Sequence, residues 1–152
     1  MSLDSQIYFQ TDASPAEVQL LLEQRTPFAS VDDVNEYKEM VAGASVLGIR
    51  SADPNEVWIN ELSIRPNMAI FNTCIDTSST PLWKLDTLRV AIALLHAYPG
   101  DLMFIYFDIT PVMRKDGYVF LKIDDDFWKA RGEFDPLALV DLPYEWGHNP
   151  MP

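Results

Sequence analysis

The chain reads as an α+β domain, an antiparallel sheet of about six or seven strands with two helices packed on one face. Three observations lead there. A capping-box helix start stands at Ser14-Pro15-Ala16-Glu17, a long apolar helical repeat between Pro81 and Tyr98 stops at Pro99-Gly100, and Asp116-Gly117 separates two strand-like segments. With 152 residues and no Gly, Ser or Pro tract that would divide them, residues 1–152 form one domain with one core.

Residues 5 to 11 supply a first strand that ends before Pro15. Ser14 then caps a helix with Pro15 at its first position and Glu17 closing the capping box, and Val18, Leu21 and Leu22 make its buried stripe. Pro27 restrains Thr26 from helical geometry, so this helix ends near Arg25. From Pro27 to Ala42, Val31, Val34 and Tyr37 are scattered among acids, which predicts a short irregular or helical stretch. Ala44 to Arg50 is apolar and β-branched, and Val57, Ile59 and Leu62 alternate with polar neighbours beyond a turn at Asp53-Pro54-Asn55. A further strand follows Pro66, with apolar residues on both of its faces. These three segments predict an antiparallel meander.

Thr80 caps the second helix and Pro81 opens it. Leu85, Leu88, Ile92 and Leu95 recur at helical spacing, widened by Ala91, Leu94 and Tyr98. Lys84, Asp86, Thr87, Arg89 and His96 are left as its polar face. Asp101 to Phe107 reads as a central strand, and Pro111–Lys115 and Tyr118–Ile123 as a hairpin about Asp116-Gly117, a pair suited to the tight turn between antiparallel strands. After Asp124 the chain turns acidic, then aromatic, then Pro-punctuated.

The charge is unusual: 23 Asp plus Glu against 11 Lys plus Arg leave a net charge of -12. Nucleic acid and anionic membranes would repel such a surface. Acidity of this size serves solubility, complementarity to a basic protein, or both. A single cysteine, Cys74, excludes an intramolecular disulfide and a Cys-rich metal site. The first residues lack the pattern of a signal peptide and no apolar run nears the roughly 18 residues of a membrane span, which places the expected location in the cytoplasm.

No catalytic or metal site is expected. The two histidines, His96 and His148, lack the partner spacing of a zinc site or triad, and His96 falls where a helix dipole favours an imidazolium. Asp124, Asp125 and Asp126 lack the alternation, glycine and distal Glu of a calcium loop. They read either as a solvated turn before Phe127 or as a contact for a basic partner. No glycine pattern suggests a nucleotide, and no cofactor is implied. Trp128, Tyr144 and Trp146 lie near acids in the C-terminal third, and Trp and Tyr are favoured as interface anchors, although a tryptophan in a small domain also serves the core. The candidate partner-binding set is therefore Asp124, Asp125, Asp126, Trp128, Tyr144, Glu145 and Trp146. Paired carboxylates of a small-molecule-binding or hydrolytic enzyme stay open as an alternative, because their separation is spatial.

Residues 87–146 resemble the Sit immunity-protein family, small cytoplasmic proteins that protect bacteria from toxins delivered by their kin. Four features carry the resemblance. They are Leu-Arg-Val-Ala-Ile-Ala-Leu-Leu at 88–95, Tyr-Pro-Gly-Asp at 98–101, the hairpin Met-Arg-Lys-Asp-Gly-Tyr at 113–118, and Phe127-Trp128 followed by Leu-Pro-Tyr-Glu-Trp at 142–146. The resemblance implies an immunity protein that binds and neutralises a cognate toxin domain without catalysis. An acidic inhibitor suits a basic toxin such as a nuclease, since its carboxylates imitate phosphates. No binding residue is transferred from the family.

Overall fold

A computed structural model describes residues 3–31, 38–43, 45–53, 64–75, 80–107, 109–122, 126–129 and 135–147. Chain order within them is β1 (Leu3–Phe9), α1 (Pro15–Arg25), β2 (Ala29–Ser30), β3 (Lys38–Ala42), β4 (Ser45–Ser51), β5 (Met68–Cys74), α2 (Thr80–Ala97), β6 (Leu102–Tyr106), β7 (Ile109–Lys115), β8 (Tyr118–Lys122) and β9 (Glu145–Gly147). Single 3₁₀ turns at Asp126–Trp128 and Pro136–Leu139 separate β8 from β9. The strands make one sheet in the order β2-β3-β4-β5-β1-β6-β7-β8-β9. Every pairing is antiparallel except β8 with β9. The α+β class holds, with nine described strands instead of six or seven.

Strand β1 is central. It pairs with β5 on one side and β6 on the other, so those two run parallel to each other and α2 carries the chain across β1 between them. Strand alternation sorts the side chains into two clusters. Ile7, Phe9, Met68, Ile70, Leu102, Phe104 and Val112 turn toward Val18 and Leu22 of α1 and Leu88, Ala91 and Leu95 of α2. Tyr8, Ala69, Met103 and Met113 point the other way and pack with Ala52 and Ile64. β5 thus buries Met68, Ile70, Asn72 and Cys74 on one face, whereas on the other Ala69 is buried and Phe71 and Thr73 are only partly covered.

Helix α1 starts as its sequence demands. Ser14 Oγ accepts from the Glu17 amide at 3.2 Å, and Glu17 accepts from the Ser14 amide at 3.3 Å. At Asp116 and Gly117 φ is 52° and 88°, the left-handed pair that a two-residue hairpin between β7 and β8 requires. β7 begins at Ile109, earlier than its sequence suggests. A register shift between Phe104 and Tyr106 leaves Thr110 and Pro111 opposite one β6 residue, and a bulge tolerates a proline that has no amide to donate.

Three expectations are corrected. Of the stretch 27–42 expected to be irregular or helical, the described residues form β2 and β3, with Met40 and Ala42 in the core and Val41 facing out, while 32–37, with Val34 and Tyr37, lie outside the described residues. β4 and β5 pair directly, from Ser45↔Cys74 to Ser51↔Met68, so no strand stands between them as the meander required. The predicted strand at 57–62 lies outside the described residues. Thr87, assigned by type to the polar face of α2, is fully buried. Trp83 and Cys74 are core residues, and no disulfide is formed. No helix among the described residues is long and apolar enough to cross a membrane.

Candidate functional site

Strand β9 ends the sheet at the β8 edge, with Trp146 opposite Leu121 and Glu145 opposite Phe120. It brings part of the predicted set together. Trp146 is 44% exposed, and its ring meets Trp128 edge-on at 6.2 Å and Tyr144 at 5.7 Å. Trp128 is buried and rests on Phe127 at 4.9 Å, which in turn packs on Phe104 at 5.6 Å and Tyr106 at 5.1 Å. A ladder of rings therefore runs from the core to the surface and ends at an exposed indole. Such bracing limits the rotamer freedom that an anchor loses on binding.

Glu145 and Asp126 are exposed, and strand alternation turns Glu145 to the sheet face opposite Trp146. Asp126 pairs with Lys129 at 2.8 Å across solvent, an interaction of small stabilising effect. Asp124 and Asp125 lie outside the described residues. Trp128 thus supports the Trp146 and Tyr144 rings from beneath, while Glu145 lies on the other face of β9.

A second group of contacts holds the segment before β9. Asp135 caps the Pro136–Leu139 turn by accepting from the Leu137 amide at 3.2 Å. Asp141 meets His96 Nε2 at 2.6 Å, and this hydrogen bond holds the Asp141 carboxyl below the usual aspartate range. His96 is in the last turn of α2, where the sequence placed it, but its partner comes from 45 residues away and no local pattern could reveal it. Arg25, Arg89, His96 and Asp141 line a hollow of about 200 Å³ with Ile92 and Leu139.

Two further hollows open on the surface. One of about 370 Å³ lies on the sheet, where Arg50 sits 4.6 Å over the Phe71 ring and Glu39 contributes a carboxylate. Another, of about 460 Å³, is lined by Asp12, Arg65, Asn67 and Tyr98. Each of the three contains one carboxylate, so none has the convergent pair that acid–base hydrolysis uses. Among the described residues no three His, Cys, Asp or Glu side chains gather as metal ligands.

No family model, curated protein or solved structure matches the chain.

Proposed function

We propose that the protein works by binding a basic protein partner through the β8–β9 edge, and that it is an immunity protein neutralising a cognate bacterial toxin domain without catalysis. One observation carries this reading: an exposed tryptophan on an edge strand, braced by two other rings, in a strongly acidic chain. Hot spots favour such aromatic anchors, and the chain's net charge of -12 would steer a cationic partner toward them. The resemblance of residues 87–146 to the Sit immunity family supports a toxin as that partner. A nuclease fits because its active site already attracts polyanions.

Pull-down from the native strain identifies the partner, and binding kinetics at two salt concentrations test the mechanism. Association slows markedly as salt rises, because screening cuts the field to about 8 Å at physiological ionic strength. Changing Asp124, Asp125 and Asp126 together to Asn lowers the on-rate, whereas Trp146→Ala raises the off-rate and costs about 2 kcal/mol or more. An on-rate indifferent to salt and to the triple change defeats the electrostatic part. An unchanged off-rate in Trp146→Ala removes the anchor.

A further inference from the structure

The two helices pack on one face of the sheet, and the hollow of about 370 Å³ opens on the other. Strand alternation decides which side chains reach it. Met40, Leu47, Ile49 and Ile70 turn into the helix-covered core, so Glu39 of β3, Val46, Gly48 and Arg50 of β4, and Phe71 and Thr73 of β5 belong to the opposite face, where they line the hollow. Gly48 is at its centre. It stands opposite Glu39 on one side and Phe71 on the other, so a position without a side chain separates an acid from an aromatic ring by two strand spacings, roughly 9.6 Å. A glycine inside a strand often marks a place where a ligand comes close to the backbone, and the volume is that of a small-molecule site.

The polar groups around this hollow differ in what they can do. Arg50 lies 4.6 Å over the Phe71 ring, and that ring is itself braced edge-on by buried Tyr8 at 6.1 Å. Stacking uses the flat face of a guanidinium and leaves its in-plane N–H groups to grip a carboxylate. The Thr73 hydroxyl donates to Asp4 Oδ1 at 2.9 Å, so toward the hollow it can only accept. The Glu39 carboxylate accepts as well. Strand pairing on both sides of β4 engages the backbone groups of the floor. The lining therefore offers one cationic donor and two acceptors, with Val46 and Phe71 as apolar surface.

We propose that this hollow binds a free amino acid with an apolar side chain, its carboxylate on Arg50, its ammonium on Glu39 and Thr73, and its side chain over Gly48 against Val46 and Phe71. A simple anion would be repelled by Glu39 and a simple cation by Arg50, so the paired charges select a zwitterion. The site is separate from the protein-docking edge. β4 is six strand spacings from β9, about 29 Å along the sheet, and Trp146 shares the face of Leu121, which is the helix-covered one.

The full chain is titrated calorimetrically with leucine, with 4-methylpentanoate, which is leucine without its ammonium, and with 3-methylbutylamine, which is leucine without its carboxylate. Amide NMR shifts locate the binding. The expected outcome is saturable binding of leucine at least about tenfold tighter than of either analogue, with shifts centred on β3, β4 and β5. Arg50 and Glu39 both lie outside the core, so Arg50→Gln and Glu39→Gln keep the fold, which thermal melting checks. Each lowers leucine affinity about tenfold. Glu39→Gln also tightens 4-methylpentanoate, because a repelling carboxylate is gone, and a variant that merely disturbed the sheet would weaken both ligands. Absence of saturable leucine binding, equal affinity for an analogue with one charge, shifts centred elsewhere, or leucine affinity unchanged in either variant overturns the proposal.

Discussion

Two aspartates respond in opposite directions to their surroundings. Burial pushes the Asp86 carboxyl above the usual aspartate range, and the Arg89 guanidinium 2.8 Å away only partly offsets it. Asp141, on the surface, is held below that range by its hydrogen bond with His96. A raised folded-state pKa means that the contribution of Asp86 to stability is full below the unfolded value near 3.9 and is lost as pH climbs through the folded one. The Asp141 contribution runs the other way, present above the unfolded value and lost as pH falls through its depressed folded one. Asp86→Asn, which cannot titrate, should therefore gain stability relative to the parent between pH 3 and pH 7, as read by urea unfolding at both. A relative loss over that range would mean that attraction to Arg89 outweighs burial. Residue type alone does not reveal such outcomes. Thr87 belongs by type to a polar face, yet its hydroxyl is satisfied internally by Trp83 and Asn72 and lies in the core.

At the scale of elements, the end of α2 is held by a residue from another strand. Arg114 of β7 is buried, and its guanidinium donates to the carbonyls of Leu95 at 2.8 Å, Gly100 at 2.7 Å and Tyr98. It satisfies the Leu95 carbonyl that the helix leaves open and two carbonyls just beyond its end, and adds a cation where the helix dipole favours one. Asp101 secures the same corner, accepting from the Asp116 amide at 3.0 Å and from Lys115 at 3.3 Å. Arg114→Met keeps most of the packing but orphans those carbonyls, and should cost about 3 kcal/mol in urea unfolding. A loss below about 1 kcal/mol would mean that water replaces the guanidinium. Elements defined by local chemistry were legible in the sequence: the capping box at Ser14, the stop at Pro99-Gly100 and the hairpin at Asp116-Gly117. Those created by pairing were not. β9 is three residues, Glu-Trp-Gly, whose strand geometry comes from β8, more than twenty residues earlier. Alternation assigned faces to β4 and β5 but could not say that they were neighbours. The same holds for the candidate site, where Trp128 and Trp146 meet only because β9 returns to the sheet.

Over the whole molecule, a net charge of -12 repels itself in the compact state. Screening should raise Tm between a few millimolar and about 0.15 M sodium chloride, where the Debye length falls to about 8 Å. A flat or falling Tm would show that ion pairs such as Lys115–Asp101 govern the balance instead. The central position of β1 governs a different property, the time course of assembly. Ser5 needs Tyr106 on one flank and Asn72 on the other, so this strand stays incomplete until about a hundred further residues have been made. At ribosomal rates of roughly 5–20 residues per second, that wait lasts on the order of 5–20 s. During it, Ile7, Tyr8 and Phe9, all bound for the deepest part of the core, lack the sheet that will cover them. β3 with β4, and β7 with β8, can form hairpins from neighbouring sequence, while the strand that joins the two wings is synthesised before either and lacks its second neighbour until β6 follows. The nascent chain is therefore most dependent on chaperones, and most open to mispairing, along the segment that the finished protein hides best.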